Sequence, residues 1–319
     1  MEEVEAGYSL SNLPDEILHR IFSFLGIRNI ARLSVLSRRF QTLCTTAPSF
    51  FFSEPDLDPR VRNCACPHVF NFMNTLLQRR PPHALKINQL CFSSFCKIPQ
   101  HRSLHDEWIN KLFRTFHVDE LYLYYQLPSI FGSLPRFQSL KVLKLNMRGL
   151  AWVKLPEMMK IASLETLHMR FIKTEDSVGE WVSESFPSLK TLFLCSITAR
   201  VSAKQLELAI GSSCLEDLTI QYCCNFKAVR IITENLRALS YKVDDEIVVE
   251  ISAPNLQRVS WRGALPRLRY DARRTFKSLD VAVMTHLKFR NLNLLIQLFE
   301  AMRWAKLQHM DTYMLKVSS

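Results

Sequence analysis

The chain has 319 residues, 48% of them apolar and 22% charged, a composition that excludes a disordered protein and fits a folded chain of about two domains. Its formal net charge is +11, and its 7 glycines are so scattered that the closest two, Gly132 and Gly149, lie 17 positions apart. This spacing excludes glycine-rich phosphate loops and the nucleophile elbow of hydrolases, since both require glycines within about five residues of each other.

The amino-terminal residues and the cysteines indicate the compartment. Residues 1–10 are acidic and lack the parts of a secretory signal, and no run of about 18 apolar residues occurs. The 9 cysteines have no disulfide spacing, and the metal-like group of Cys64, Cys66 and His68 lacks the second ligand pair of a zinc site. We therefore expect reduced thiols in a soluble protein of the cytoplasm or nucleus, with no metal, no cofactor and no membrane contact.

Residues 11–50 have the pattern of three short helices. Pro14 stands in the first turn of the first helix, and the two acidic residues after it favour the positive end of the helix. The side chains expected to face inward are Leu13, Ile17, Ile21 and Leu25, then Ile30, Leu33 and Leu36, then Phe40, Leu43 and Ala47 in a third helix that begins at Ser37. So small a unit buries little apolar surface, and we expect it to complete its core on another protein.

A short leucine pattern, L-x-x-L-x-L, recurs every 20 to 26 residues in the larger part of the chain. Its six copies begin at Leu140, Leu164, Leu189, Leu215, Leu236 and Leu256, with weaker copies at Val118 and Phe276. The last two apolar positions of each copy lie on one face of a strand, and stacking the units side by side joins these faces into one core. The pattern therefore predicts a solenoid of parallel strands.

The segments between successive strands change character along the chain. Apolar residues at helical spacing predict a helix over Glu175–Ser185 and another over Leu206–Ile210 that ends near Gly211. Farther on, Ile247–Ile251 alternates apolar and polar residues, which predicts an extended segment. We expect one side of the solenoid to change from helices to strands.

The end of the chain combines an amphipathic helix with a basic segment. The helix, with Asn291 as its N-cap, has the apolar residues Leu292, Leu295, Ile296, Phe299 and Met302 on one face. It either covers the open end of the stack or docks on a partner. The basic residues between Arg258 and Lys277 fit a solvated face, with an acidic partner or nucleic acid as the alternative.

The helical segment resembles an F-box, and the whole chain is similar to the plant-type F-box/leucine-rich-repeat proteins. The motifs that carry the resemblance are Leu13-Pro14-Asp15-Glu16-Ile17-Leu18, Ile21-Phe22-Ser23-Phe24-Leu25 and Ser34-Val35-Leu36-Ser37-Arg38-Arg39-Phe40. The resemblance implies an α/β fold with a three-helix F-box at 11–50, a linker of unknown structure at 51–82, an irregular right-handed leucine-rich-repeat solenoid at 83–285, and a capping helix and tail at 286–319. The array is irregular because only Cys223 matches the family's asparagine or cysteine position after the strand. A mixed sheet on helices, without solenoid stacking, is the alternative.

The resemblance also implies a function. It identifies a non-catalytic substrate-recognition subunit of a Skp-cullin-F-box ubiquitin ligase, whose partners are a Skp-type adaptor, through it a cullin-RING ligase, and a target protein. The residues implied for adaptor binding are Leu13, Pro14, Ile17, Leu18, Ile21, Leu25 and Val35. The strand positions between the leucines point away from the core, and those expected to hold the target are Lys144, His168, Phe193, Thr219, Ser240 and Arg258. A scaffold that never recruits a ligase, and a nucleic-acid binder, stay open as alternatives.

Overall fold

The chain divides into two compact units, Met1–Tyr125 and Gln126–Ser319. The first unit contains three short helices followed by parallel strands, and the second is built of stacked strand-containing repeats. The computed structural model describes residues 10–53, 66–93, 102–124, 138–147, 152–157, 159–200, 207–243, 247–264, 267–269, 276–288, 292–303 and 305–310.

The predicted three helices form in the first unit. They are α1 (Asp15–Phe22), α2 (Ile27–Leu33) and α3 (Arg38–Thr46). The third begins where the sequence predicts, because the Ser37 hydroxyl accepts a hydrogen bond from the Phe40 backbone N–H at 3.2 Å. The side chains that form the core of this segment are Leu18, Phe22, Ile27, Ile30, Phe40, Leu43 and Ala47.

The first helix packs through a different face from the one predicted. Leu18 and Phe22 are each 1% exposed, whereas Ile17 is 45% exposed. The Phe22 ring lies 6.3 Å from the ring of Phe40 on α3. Because α3 packs on the Leu18 side of α1, that side is the core, and the predicted inward face of Leu13, Ile17, Ile21 and Leu25 stays wholly or partly at the surface.

The segment 51–82, which the sequence left as a linker, carries regular structure. After α3 the chain forms β1 (Ser49–Ser53), α4 (Cys66–Gln78), β2 (Lys86–Ser93), α5 (Arg102–Thr115) and β3 (His117–Tyr124). The three strands are parallel and adjacent in the order β1, β2, β3. Strand–helix–strand units therefore begin directly after α3 rather than at residue 83, because Phe50 and Phe52 alternate inward from β1.

Arg80 joins the end of α3 to these strands. Its side chain is buried, and its guanidinium donates hydrogen bonds to the carbonyls of Ala47, Ala84 and Lys86 at 2.8, 2.7 and 3.1 Å. It also stacks over the Phe50 ring, 5.1 Å from its centroid. Burial lowers the pKa of Arg80 to about 10, so the group keeps its charge at neutral pH. The helical segment thus completes part of its core within its own unit.

The second unit has one main parallel sheet. Its strands, in spatial and chain order, are β4 (Val142–Asn146), β6 (Thr166–Arg170), β8 (Thr191–Cys195), β11 (Asp217–Gln221), β13 (Ala238–Val243), β15 (Arg258–Ala264), β17 (Val281–Lys288) and β18 (Leu307–Met310). Their register aligns the predicted inward positions into buried columns, the first of which is Leu143, Leu167, Leu192, Leu218, Leu239 and Val259. The repeats therefore stack as a parallel-sheet solenoid.

The return segments change from helix to strand along the chain, as predicted. The change occurs one repeat earlier than the sequence predicts. The first is a short sheet of β5 (Trp152–Val153), β7 (Lys173–Thr174) and β9 (Thr198–Ala199), with α6 (Val178–Ser185) between β7 and β8. The second is a parallel sheet of β10 (Glu207–Ile210), β12 (Ala228–Ile232), β14 (Val248–Ser252) and β16 (Arg267–Arg269). The helix predicted up to Ile210 is wrong over 207–210, because β10 pairs with β12 along its whole length.

The close contact between α6 and β10 depends on glycine. A Cβ atom on Gly179 would lie 1.8 Å from the backbone oxygen of Ala209. An overlap this large is removed only if α6 moves away from β10, so this position admits no larger residue at the observed helix–strand distance.

Backbone groups replace the missing side-chain ladder at the corners after the strands. The residues directly after β6, β8 and β11, here called the corner residues, are Phe171, Ser196 and Tyr222, with φ of 56°, 56° and 52°. Each donates its backbone N–H to a carbonyl at the end of the next strand, that of Cys195, Gln221 and Lys242, at 3.0, 2.8 and 2.7 Å. The residues that follow the first two, Ile172 and Ile197, are fully buried. Apolar burial and corner-to-strand hydrogen bonds thus fill the place of the asparagine ladder.

The amphipathic helix near the end is α7 (Leu292–Ala301), but it is followed by another strand. β18 pairs in parallel with β17, so α7 is the return segment of one more unit rather than a terminal cap. Leu298, Ala301 and Met302 are buried, whereas Ile296 is 47% exposed. The predicted boundary at residue 286 falls inside β17, and Asn291 lies outside the described residues.

Candidate functional site

The helical segment of the first unit exposes apolar side chains at its turns. Val35 and Phe24 are 82% and 81% exposed, and Leu36 is 65% exposed. Leu10 and Ile17 add 52% and 45% exposed side chains at the start of the segment. Large apolar groups are seldom this open unless they meet a partner, so this surface is a candidate interaction site.

Arg39 fixes the chain that leads into α1. Its guanidinium donates hydrogen bonds to the Asp15 carboxylate at 2.5 Å and to the Leu13 carbonyl at 2.6 Å, and it also contacts the Ser11 carbonyl. These contacts hold Leu13 and Pro14 against the start of α3. Because guanidinium nitrogens form a rigid planar fork, Arg39 sets the direction of this segment as well as its position.

The structure places the seven residues predicted for adaptor binding in three environments. Pro14, Ile17 and Val35 are exposed, and the three half-buried ones are Leu13, Ile21 and Leu25. Leu18 is buried in the core and has no surface to offer a partner, because α3 packs over it. The prediction missed Phe24 and Leu36, since helical periodicity assigned Leu36 to the core and the turn after α1 was not located.

The second candidate site is the open face of the main sheet, which is the face turned away from the leucine columns. Five of the predicted residues are aligned in one row across five strands by the register, namely Lys144, His168, Phe193, Thr219 and Ser240. Arg258, the sixth predicted residue, lies in the neighbouring row. The row of the other five continues on β15 with Ser260. All five members of the row are half-buried, so neighbouring side chains cover part of each.

An aromatic and cationic cluster lies in the middle of this row. The His168 and Phe193 rings are 5.1 Å apart, and the Arg170 guanidinium lies over the Phe193 ring, 4.7 Å from its centroid. Burial, together with the nearby charges of Lys144 and Arg170, lowers the pKa of His168 to about 4. The imidazole is therefore neutral at physiological pH, in a region of positive potential.

A second cation, Lys242, stacks on an aromatic ring at the corner after β11. Tyr222, a corner residue, is 40% exposed, and the Lys242 ammonium lies 4.2 Å from its ring centroid. Phe171, the corner residue after β6, is also 40% exposed. Sequence reasoning missed both aromatic residues, because the leucine pattern gives no signal for the corner after each strand.

The amino edge of the sheet is formed by the residue before each strand. It carries charges of both signs, in contrast to the positive region around His168. Its residues alternate in charge through Lys141, Glu165, Lys190, Glu216 and Arg237. The Lys190 ammonium lies 3.0 Å from the Glu165 carboxylate, and at the next charged pair Lys306 lies 2.7 Å from Asp280. The alternating charges along this edge therefore largely offset one another.

Other chemistries find no support in the described part of the chain. Within the described residues, no group of three or more His, Cys, Asp or Glu side chains could hold a metal ion. The described cysteines are free thiols, three of them with pKa values raised by burial, for example Cys44 to about 11. Cys64 lies outside those residues. No helix among them is long and apolar enough to cross a membrane.

Comparison with known proteins identifies both units. The F-box domain family matches residues 10–52, and the leucine-rich repeats of FBD-associated F-box protein At5g56370 match residues 133–287. F-box/FBD/LRR-repeat protein At5g56420 of Arabidopsis thaliana is 25% identical over 265 residues, which cover 78% of this chain and 54% of that protein. F-box/LRR-repeat protein At3g62440 of the same plant is 26% identical over 280 residues, covering 77% and 57%.

The chain spans about half the length of the curated relatives it matches. The two family matches occur in the order that the sequence predicts, on the two units that the structure separates. The matched F-box contains the three helices with the exposed apolar turns, and the matched repeats contain the main sheet with its open face. The chain therefore belongs to the plant F-box/leucine-rich-repeat proteins.

Proposed function

We propose that the chain is the substrate-recognition subunit of a Skp-cullin-F-box ubiquitin ligase in the cytoplasm or nucleus. The observation that carries the proposal is the exposure of Phe24, Val35 and Leu36 on a segment that matches the F-box domain. These side chains, with Leu10 and Ile17, would pack against a Skp-type adaptor. Aromatic and aliphatic side chains of this size are the usual anchors of protein interfaces.

The proposed subunit makes and breaks no bond itself. The adaptor would hold the F-box, the open face of the repeats would hold the target, and the ligase would bring the target to the conjugating enzyme. Ubiquitin transfer would be faster because holding the target beside the conjugating enzyme raises the effective concentration of the target. The only chemistry required of this chain is therefore two binding surfaces on rigid supports.

Binding to a purified plant Skp-type adaptor tests this proposal on the full chain. We expect Phe24→Asp and Val35→Asp each to weaken binding by more than about tenfold, because a carboxylate would be desolvated at an apolar anchor. Ile232→Asp is the matched control, since Ile232 is 50% exposed on β12 in the second unit. Absence of binding by the unchanged chain, or equal loss in all three variants, would refute the proposal.

Ubiquitin transfer separates a ligase subunit from a scaffold. If the chain is a scaffold, adaptor binding persists but the assembled complex labels no target, and target turnover in cells is the same with and without the protein. The nucleic-acid alternative rests on the segment from Arg258 to Lys277, part of which lies outside the described residues, including Arg273 and Arg274. Tight, steeply salt-dependent binding of oligonucleotides would favour it.

A further inference from the structure

The open face is electrostatically divided between its two ends. Its carboxyl half comprises the third and fifth positions of strands β4 to β17 and the residue after each strand. Its cations are Lys144, Arg170, Lys242 and Arg262, and none of the described residues at these positions is acidic; Asp244, directly after β13, lies outside the described residues. The amino edge of the same sheet alternates Lys or Arg with Glu and contains the ion pairs Lys190–Glu165 and Lys306–Asp280. One half of one sheet surface is thus neutral and the other is positive.

Two cations of the carboxyl half, Arg170 and Lys242, are held against aromatic rings but form no ion pair with a described carboxylate. Arg170 stacks on Phe193 and Lys242 on Tyr222. Among the described residues, Arg170, Lys242 and Arg262 form no ion pair, although pairs occur elsewhere on the same unit. A guanidinium stacked by its face keeps its N–H edge directed outward, where it can bind a carboxylate in a bidentate manner.

Two aromatic residues border this half in a strained backbone conformation. Phe171 and Tyr222 have φ of 56° and 52°, a region that residues with a Cβ seldom adopt, and both rings are 40% exposed. Glycine would fit these corners without strain. Neither ring is buried in the core, and the Lys242 ammonium lies over the Tyr222 ring. Strained, exposed aromatic residues are typical of binding sites.

We propose that the carboxyl half of the open face binds an extended acidic segment of the target protein, with carboxylates on Arg170 and on Lys242. The inference rests on the proposed function, since it specifies what the repeats would recognise. Arg170 and Lys242 lie at the same register position three strands apart. That separation is about 14 Å, which an extended peptide crosses in about four residues.

Charge complementarity decides between possible occupants. Arg170, Lys242 and Arg262, which form no ion pair with a described residue, favour an anionic ligand, and the balanced charges of the amino edge confine it to one half of the face. The stacked rings leave their remaining apolar edges for side chains of a peptide. Nucleic acid would need aromatic faces free for bases, whereas the Phe193 and Tyr222 faces are each covered on one side by a cation.

Selection of short random peptides displayed on phage tests the inference, with the full chain as bait. We expect the selected sequences to be enriched in Asp and Glu about four positions apart. A synthetic peptide of the selected sequence should bind the double variant Arg170→Gln, Lys242→Gln at least about tenfold more weakly than the unchanged chain. The control removes the same charge from the amino edge, as Lys190→Gln with Arg237→Gln, and should leave binding unchanged.

A spectroscopic readout locates the bound peptide. A carboxylate bound beside Arg170 should raise the pKa of His168 from its low value, because it offsets the charges of Lys144 and Arg170 that help to lower it. NMR titration of the imidazole measures this shift. Selected peptides without acidic residues, equal binding by both double variants, an unchanged His168 titration, or tighter binding of oligonucleotides to the same residues would each overturn the inference.

The ligase proposal and this inference fail separately. Both double variants retain the F-box surface, so they should bind the Skp-type adaptor as the unchanged chain does. Loss of peptide selection with retained adaptor binding refutes only the acidic-segment inference. Loss of adaptor binding by the unchanged chain refutes the ligase proposal.

Discussion

The helical segment and the repeat sheet keep their binding surfaces apart from their cores by different means. On α1, consecutive residues lie about 100° apart around the helix, so Leu18 is buried while its neighbour Ile17 is exposed. On the sheet, alternation separates Phe193 on the open face from Leu192 and Leu194 in the core. The helical surface is apolar and the sheet surface is cationic. The two units are therefore suited to partners of different chemistry, and changes in one surface should not impair the other.

Substitution within the F-box gives the largest expected effect. Leu18→Ala should destabilise the first unit by about 3 kcal/mol, because it removes a fully buried side chain and leaves a cavity. Ile17→Ala should change stability by less than about 0.5 kcal/mol and instead weaken adaptor binding. Hydrogen exchange over α1 and α3, with adaptor affinity, distinguishes the two outcomes. If Ile17→Ala lowers the protection of α3 as much as Leu18→Ala, the division of the helix into core and binding faces is wrong.

The second expected effect is confined to the repeats. Gly179→Ala should destabilise the second unit by about 2 kcal/mol, because its methyl group would overlap the Ala209 backbone oxygen and force α6 from β10. Gly211→Ala is the matched control, since its Cβ would meet its nearest neighbour, the Ile232 oxygen, at an ordinary 3.8 Å. Hydrogen exchange of each unit in increasing urea measures the free energy of unfolding of each variant. Equal stability of the two alanine variants would contradict the close contact, and unchanged adaptor binding is expected in both.

The smallest expected effect sharpens the distinction between stability and binding on the open face. Tyr222→Gly should be about 1 kcal/mol more stable than Tyr222→Ala, because glycine adopts the left-handed corner without strain. Both variants remove the ring under Lys242, so both should bind an acidic peptide equally poorly. Thermal unfolding and peptide affinity are the measurements. An alanine variant as stable as the glycine variant would show that the corner is unstrained.

Much of the architecture follows from residue patterns that act over short distances. The leucine columns, the Ser37 cap and the extended return at β14 form where the sequence predicts, because side-chain alternation and capping depend on neighbours within a few residues. The role of α7 and the strand β1 were not predicted. Each depends on which strand lies beside it, and that partner is tens of residues away in the chain.

The candidate sites divide in the same manner. The F-box motif by itself indicates the segment that carries the exposed apolar side chains, and the common register of the five aligned open-face residues follows from the spacing of the leucines. The inward face of α1 does not follow, because Leu18 and Ile17 are both apolar and only the position of α3 decides between them. The pairs Arg170–Phe193 and Lys242–Tyr222 join residues 20 or more positions apart across strands or corners, so no local pattern reveals them.

The sequence by itself determined that this chain has three helices of the F-box kind followed by stacked leucine repeats, because helix caps and strand alternation are local properties of the backbone. The tertiary structure alone decided which side chains remain exposed and how the charges are distributed. Stacking places equivalent positions of successive repeats about 4.8 Å apart. That spacing brings Lys190 beside Glu165 at the amino edge, whereas Arg170 and Lys242 in the carboxyl half form no ion pair with a described residue.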